Sequence, residues 1–293
     1  MKPFEYIAPD TLDETISLLS RYGSDAAMLA GGTDLLVAFR RPKPVGANVV
    51  IDISRVGELG GLSAAGGAMS IKPLITHARL ESSELLRRYA PLLAAAASAI
   101  GSPQIRNRGT IGGNIMNAAT CADTVPPLVA LGATVTLRSA RAVRQIFLAD
   151  LFLRPYETHA APDEVLTEIR FSSLGSDAGS AFIKLGRRNA LSISRLSVAA
   201  ILRIGRDSRI AEARIVPGAA FPTWQRVSAA EELLLGERPS SRLFAAAGTR
   251  VSREMIRETG RRWSSQYKEP VLAVLVRRAL EQCARSIRDG AAA

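Results

Sequence analysis

Two glycine-rich turns constrain this chain more than any other feature of its sequence. The first, Gly31-Gly32, stands between two short apolar runs. A strand, a tight turn and a helical turn in that order would expose several backbone N–H groups in a concave anion site. Glycine is needed there because the backbone takes positive φ and a Cβ would collide with a ligand. The second, Gly112-Gly113, lies 81 positions later, and we expect the fold to bring both turns onto one diphosphate.

Neither turn has the residues of the common nucleotide motifs. A P-loop needs Gly-Lys-Ser/Thr in the turn, and a Rossmann site needs Gly-x-Gly-x-x-Gly with an acid about 20 residues later. Both turns also lack Lys and Arg, so backbone N–H groups and the side chains of Thr33, Thr110 and Asn114 would have to hold the phosphate. This pattern favours a dinucleotide diphosphate over a transferable phosphate.

Length and charge indicate more than one domain. A chain of 293 residues reaches the size at which single cores stop growing, about 250–300 residues. Residues 1–175 carry 17 basic and 16 acidic side chains, whereas residues 176–293 carry 21 and 11. This charge step coincides with a linker-like Gly-Ser-Asp-Ala-Gly stretch. We therefore predict domains at 1–175 and 176–293, the first divided into lobes of about 1–56 and 57–175.

The order of predicted elements indicates an α+β fold. In residues 176–293, which we call the third region, the predicted strands precede the predicted helices. Helices are predicted there at 225–235 and 269–287, the latter with Pro270 in its first turn. The polar segment 101–108, immediately before the second glycine turn, is predicted to be an irregular loop.

The partner and the location follow from composition. The two cysteines are 162 positions apart and cannot by themselves hold an iron–sulfur or zinc site, so a metal centre would belong to a partner. The basic third region lacks aromatic residues interleaved with arginine, which disfavours nucleic acid and leaves an acidic partner or a solvated surface. Neither a signal-peptide pattern nor an apolar run of about 18 residues is present, which indicates the cytoplasm.

Local pattern leaves some single residues open. Asp123 could accept hydrogen bonds from ribose hydroxyls or adenine, but an N-cap for the helix at Pro126 is the simpler interpretation. His77 fits a turn or helix cap better than a catalytic role. Periodicity alone makes Leu166 strand core and Lys184 a surface charge.

Several motifs in order along the chain resemble the FAD-binding medium subunit of the molybdenum hydroxylases, the xanthine dehydrogenase and carbon monoxide dehydrogenase flavoprotein family. These motifs are Ala30-Gly31-Gly32-Thr33-Asp34-Leu35-Leu36, Thr76-His77, Pro103-Gln104-Ile105-Arg106-Asn107, Thr110-Ile111-Gly112-Gly113-Asn114, Asp123, Asp163-Glu164-Val165-Leu166, Lys184 and Tyr267-Lys268. The resemblance covers essentially the whole chain.

The resemblance implies a two-lobed FAD-binding domain of the vanillyl-alcohol-oxidase (PCMH) type, followed by a smaller C-terminal α+β domain like that of carbon monoxide dehydrogenase flavoproteins. FAD would be non-covalent, since the glycine loops hold no histidine or cysteine. In such proteins the two turns cradle the diphosphate, the Asp123 position holds the adenosine side, and the Ile100, Leu166 and Lys184 positions lie near the flavin. The implied cofactor-binding residues are Leu29, Ala30, Gly31, Gly32, Thr33, Asp34, Leu35, Leu36, Ile100, Thr110, Ile111, Gly112, Gly113, Asn114, Asp123, Leu166 and Lys184.

The resemblance also implies an electron-transfer function with no catalytic residue or metal ligand on this chain. A large molybdopterin subunit would hydroxylate the substrate, and a small [2Fe-2S] subunit would pass electrons to this FAD and on to NAD or another acceptor, in a dimer of heterotrimers. Two alternatives stay open: a self-contained flavin oxidoreductase of the same fold, such as one like UDP-N-acetylenolpyruvylglucosamine reductase, and a basic nucleic-acid-binding module.

Overall fold

The computed structural model describes the chain over residues 3–41, 46–188 and 191–291. Within those ranges the strands form sheets of three, five and three strands and one two-stranded hairpin. Helices lie beside each of the three sheets. The mixture of strands and helices confirms the predicted α+β class.

The first lobe is a three-stranded parallel sheet with one long helix against it. Its elements are β1 (Glu5–Ile7), α1 (Leu12–Tyr22), β2 (Ala26–Leu29), α2 (Leu35–Ala38) and β3 (Val49–Asp52). The sheet order is β1-β3-β2. Helix α1 starts after its N-cap Thr11, whose side chain accepts a hydrogen bond from the Glu14 N–H. This N–H lies in the first turn and has no backbone acceptor within the helix. Its buried stripe of Leu12, Ile16 and Leu19 packs on the sheet.

The second lobe is built on a five-stranded antiparallel sheet. The strands after the first lobe are β4 (Leu62–Ala65), β5 (Ala68–Ile71), β6 (Thr134–Arg138), β7 (Val143–Phe147), β8 (Phe152–Arg154), β9 (Glu157–Thr158) and β10 (Val165–Ser172). The sheet order is β4-β5-β10-β6-β7, and β8 pairs with β9 in the hairpin. Strand β10, though last in sequence, therefore lies at the centre of the sheet.

Six short helices lie between β5 and β6. They are α3 (His77–Ser82), α4 (Glu84–Tyr89), α5 (Pro91–Ser98), α6 (Pro103–Arg108), α7 (Ile111–Asn117) and α8 (Val125–Ala130). The prediction of an irregular loop at 101–108 is wrong, because Ser102 caps α6 and Pro103 occupies its first turn. A proline at that position loses no helical hydrogen bond and has φ preset for the helix.

The third region is a three-stranded antiparallel meander followed by helices. Its elements are β11 (Ala178–Leu185), β12 (Leu196–Ile204), β13 (Ile210–Gly218), α9 (Ser228–Glu231), α10 (Ser241–Thr259) and α11 (Ser265–Ala291). Two helix predictions are wrong in extent. The helix expected at 225–235 shrinks to the single turn α9, and α11 begins before 269, so Pro270 lies inside the helix.

The sheet of the third region is buried on both faces. Along β12, Ala199 and Ile201 pack into the core of the second lobe, whereas Val198, Ala200 and Leu202 pack against α10 and α11. Successive side chains of a strand point to opposite faces, so a strand covered on both sides appears as a continuous apolar run. The third region thus shares a core with the second lobe, in which β11 lies beside α5 and strands β12 and β13 lie beside α8.

Candidate functional site

The first glycine turn joins the end of β2 to the start of α2. Gly32 has φ +73°, where an L side chain is strained. The backbone N–H groups of residues 31–34 have no hydrogen-bond acceptor among the residues that the structure describes. Backbone donors in a concave site need a partner, so this turn offers four consecutive donors to a ligand.

The two predicted turns approach each other at Gly31. A Cβ built on Gly31 would lie 2.0 Å from the carbonyl oxygen of Arg108 and 2.9 Å from the Cα of Gly109. Only a residue without a Cβ permits this backbone contact. The first turn therefore lies against Arg108 and Gly109, which lead into the second turn, so the two turns are close together as the sequence predicted.

The second glycine turn is the first turn of helix α7, and its backbone donors are already used. Thr110 caps the helix and accepts a hydrogen bond from the Gly113 N–H. The N–H groups of Ile111 and Gly112 donate to carbonyl oxygens in the segment 73–75, both at 2.9 Å. Our expectation that backbone N–H groups of both turns face a phosphate is therefore wrong for the second turn.

The second turn offers a side-chain donor instead. The Oδ1 atom of Asn114 accepts a hydrogen bond from the hydroxyl of the fully buried Thr124 at 2.7 Å. This contact fixes the amide and leaves its NH₂ group to donate. Asn114 borders the space between the two turns, so the NH₂ group adds a further uncharged donor to the site.

An elongated cleft runs between the two lobes. One part has a volume of about 380 Å³ and is bordered by both glycine turns. A second part of about 300 Å³ extends toward β11. Six residues border both parts: Thr33, Asp34, Ile100, Ile105, Asn114 and Asn117. The two parts form one space, which we call the interlobe cleft, and its elongated form suits a dinucleotide.

Asp123 and Lys184 form a buried ion pair in the second part of the interlobe cleft. The Lys184 Nζ lies 2.7 Å from Asp123 Oδ2 and also donates to the Ala99 carbonyl at 2.8 Å. The Ser194 hydroxyl donates to the other Asp123 oxygen. The two charged side chains are 13% and 6% exposed. Burial raises the pKa of the Asp123 carboxyl, and the Lys184 ammonium lowers it in part.

This ion pair overturns two interpretations drawn from local pattern. Helix α8 has Thr124 as its N-cap, so the N-cap role considered for Asp123 is wrong. Lys184 is not a surface charge. The pair joins the second lobe to β11 at the wall of the cleft, which neither residue's neighbours in sequence could show.

The other predicted residues divide between the wall of the interlobe cleft and the packing behind it. Ala30, Leu35 and Ile100 border the cleft, while the side chains of Leu29 and Leu36 lie beside Gly32. Three further predicted residues border neither part of the cleft within the described ranges and are packed behind its wall. They are Ile111, Gly112 and Leu166. Leu166 lies in the core of the second lobe, in agreement with the strand-core interpretation.

His77 borders the interlobe cleft, although its sequence context indicated only a turn or cap. It is the first residue of α3, after the N-cap Thr76, and is 3% exposed. Burial, aided by the Arg106 guanidinium, lowers the pKa of His77 to about 4, so the ring is neutral at physiological pH. The Thr76-His77 pair of the family resemblance was the signal that could have singled it out.

The pKa of His77 predicts acid sensitivity. The folded state keeps the ring neutral, whereas the unfolded chain binds a proton near pH 6.5, so the stabilising contribution is present above that pH and is lost as pH falls toward about 4. The loss amounts to about 3 kcal/mol. In urea unfolding between about pH 8 and pH 4, wild type should lose that much more than His77→Gln. The exposed His159→Gln is the control, and equal pH dependence of wild type and His77→Gln would contradict the assignment.

The chemistry of the cleft fits the diphosphate of FAD. The turn with the four free backbone N–H groups of residues 31–34 and the Asn114 amide border the first part, and uncharged donors of this kind would bind phosphate oxygens. Glycines at the turn let the backbone approach the ligand. The fold therefore defines a flavoprotein of the two-lobed PCMH type.

Comparison with known families identifies the particular family. Residues 2–172 match the FAD binding domain in molybdopterin dehydrogenase, and residues 181–283 match the CO dehydrogenase flavoprotein C-terminal domain. The chain belongs to the FAD-binding medium subunits of the molybdenum hydroxylases, as its motifs predicted, and its cofactor is FAD.

Individual relatives agree with this family. The nicotine 6-hydroxylase medium subunit of Paenarthrobacter nicotinovorans is 32% identical, with 94% of this chain and 95% of that protein covered. The carbon monoxide dehydrogenase medium chain of Hydrogenophaga pseudoflava is 31% identical over 94% and 96%. A solved structure of carbon monoxide dehydrogenase from the same organism, lacking the Mo-pyranopterin moiety, superposes with a TM-score of 0.90, 32% identity and coverage of 97% and 98%.

Proposed function

We propose that this chain is an electron relay. Its FAD accepts electrons from a small [2Fe-2S] subunit and delivers them to NAD or another acceptor, while a large molybdopterin subunit hydroxylates the substrate. The assembly is a dimer of heterotrimers in the cytoplasm. The chain divides into an FAD-binding domain at 1–175 and a C-terminal domain at 176–293.

Likeness to medium chains over nearly the full length carries this proposal. Relatives named as the medium subunit of a hydroxylase and the medium chain of a dehydrogenase match, and the match spans both domains rather than the FAD-binding part alone. A self-contained flavin enzyme would share the cleft, but would have no reason to keep the C-terminal domain of the carbon monoxide dehydrogenase flavoproteins.

Over the described ranges, no three His, Cys, Asp or Glu side chains are grouped to hold a metal ion. Cys283 lies in the core beneath α10 and α11, where burial raises the pKa of its thiol. No described helix is both long enough and apolar enough to cross a membrane.

The residues of this chain bind and orient the cofactor. FAD supplies the redox chemistry when bound. The N–H groups of residues 31–34 hold its diphosphate, and Asn114 directs an amide donor at the same region. Asp123 and Lys184 border the second part of the interlobe cleft as a neutralised pair. Their hydrogen bonds already hold both side chains in place, so a polar group of the ligand would meet an ordered surface there.

The test is to express the chain with its neighbouring genes and purify it through a tag on this subunit. We expect a coloured preparation that contains FAD and two further polypeptides, one binding molybdopterin and one binding iron–sulfur clusters. Anaerobic NADH should bleach the flavin absorbance if NAD is the acceptor, because the transfer is reversible. A colourless preparation without partners would contradict the relay, and an unbleached flavin would exclude NAD as the acceptor.

A further inference from the structure

The imidazole of His77 has one buried nitrogen and one nitrogen at the wall of the interlobe cleft. Its Nδ1 is buried and has no hydrogen-bond partner among the described residues. The opposite ring edge lies along Gly109, because a Cβ on that glycine would be 3.1 Å from Cδ2 and 3.5 Å from Nε2. Gly109 itself borders the cleft. The ring therefore turns Nδ1 into the protein and Nε2 toward the cleft.

This position decides which nitrogen carries the proton. A neutral imidazole has one N–H. Burying an N–H without an acceptor destabilises the folded protein more than burying a nitrogen lone pair without a donor. Because Nδ1 has no partner of either kind, the proton belongs on Nε2. The neighbouring Arg106 does not compete for this nitrogen, since its guanidinium is held by Glu81 at 2.7 Å and by the Ile100 carbonyl at 3.0 Å.

The same part of the cleft holds the other uncharged donors. His77, the turn at residues 31–34 and Asn114 all border the 380 Å³ part. Each of the three offers an N–H group to this space. A ligand oxygen in the cleft would therefore replace the partner that Nε2 lacks within the described part of the chain.

We propose that His77 is a further FAD-contacting residue, whose Nε2–H donates a hydrogen bond to an oxygen of the dinucleotide bound in the interlobe cleft. The proposal rests on the placement of FAD in that cleft. It gives His77 a positioning role as a neutral donor, and it explains why the residue after the α3 cap is a buried histidine rather than an apolar side chain.

Three substitutions separate the two nitrogens from simple packing. In His77→Gln the side-chain amide places an N–H near the position of Nε2, in His77→Asn it lies near Nδ1, and His77→Phe keeps an aromatic ring without a donor. Loss of one neutral hydrogen bond weakens binding about ten-fold. We expect His77→Gln to bind FAD within about two-fold of wild type, and His77→Asn and His77→Phe to bind about ten-fold more weakly.

The measurement is the dissociation constant of FAD, from quenching of flavin fluorescence on the FAD-free complex purified through this subunit. Thermal unfolding of each FAD-free variant confirms that it is folded. Equal affinities for all variants would overturn the proposal, and so would an equal loss in all three, which would indicate packing alone. Gly31→Ala serves as the reference: if it binds FAD like wild type, the placement of FAD in the cleft fails, and not only the role of His77.

Discussion

Replacing Gly31 by alanine is expected to weaken FAD binding by about a hundred-fold. The added Cβ would lie 2.0 Å from the Arg108 carbonyl oxygen, so the two turns must separate. Overpacking of this kind costs about 1–3 kcal/mol, and a hundred-fold change corresponds to about 2.7 kcal/mol. The contact joins two backbones rather than flexible side-chain ends, which leaves no inexpensive rearrangement. FAD per subunit after purification and the dissociation constant of FAD measure the effect.

Gly57→Ala is the matched control for Gly31→Ala. A Cβ on Gly57 would meet no atom within 4 Å, so this variant changes the same chemical group on an open surface. It should bind FAD within about two-fold of wild type. If Gly31→Ala and Gly57→Ala retain FAD equally well, the placement of FAD in the cleft between the two turns is wrong.

Replacing Asp123 by alanine is expected to lower the free energy of unfolding by about 3–5 kcal/mol. Lys184 would keep its position among buried groups without a counter-charge, and removing one partner of a buried ion pair carries a cost of this size. The Ala99 carbonyl would remain as an acceptor for the ammonium, but a neutral oxygen does not compensate its charge. Urea unfolding at neutral pH gives the change.

Two companions distinguish this mechanism from a general loss of packing. Asp123→Ala combined with Lys184→Met removes both charges and should recover much of the lost stability, because apolar replacement of a buried pair is often neutral. Asp13→Ala breaks an exposed pair with Arg138, whose side chains are 80% and 41% exposed, and should cost less than about 1 kcal/mol. A double variant as unstable as Asp123→Ala would contradict the charge argument.

The sequence predicted those features that depend on local backbone chemistry. A double glycine between a strand and a helical turn requires positive φ, and Gly32 has it. The α1 cap likewise depends only on residues three positions apart, Thr11 and Glu14. The failures at 101–108 and 225–235 concern short helices, where caps and tertiary contacts outweigh the average preference of the segment.

The roles of polar side chains could not be predicted from neighbours in sequence. Local pattern made Asp123 an N-cap and Lys184 a surface charge, yet they are 61 positions apart and pair at 2.7 Å. Their pairing depends on how β11 packs beside the second lobe. The family resemblance placed both at the cofactor site without indicating that each is the other's partner.

At the two glycine turns, the sequence determined the backbone conformation, and the tertiary structure determined the hydrogen bonds. By itself the sequence determined that two turns needed glycine and that a dinucleotide diphosphate suited them, since φ and the absence of a Cβ are properties of single residues. Only the folded chain decided that the N–H groups of the first turn stay free, whereas N–H groups of the second turn donate to carbonyl oxygens in the segment 73–75. A hydrogen-bond donor has one partner at a time, and which partner it has depends on what the rest of the chain brings within 3 Å.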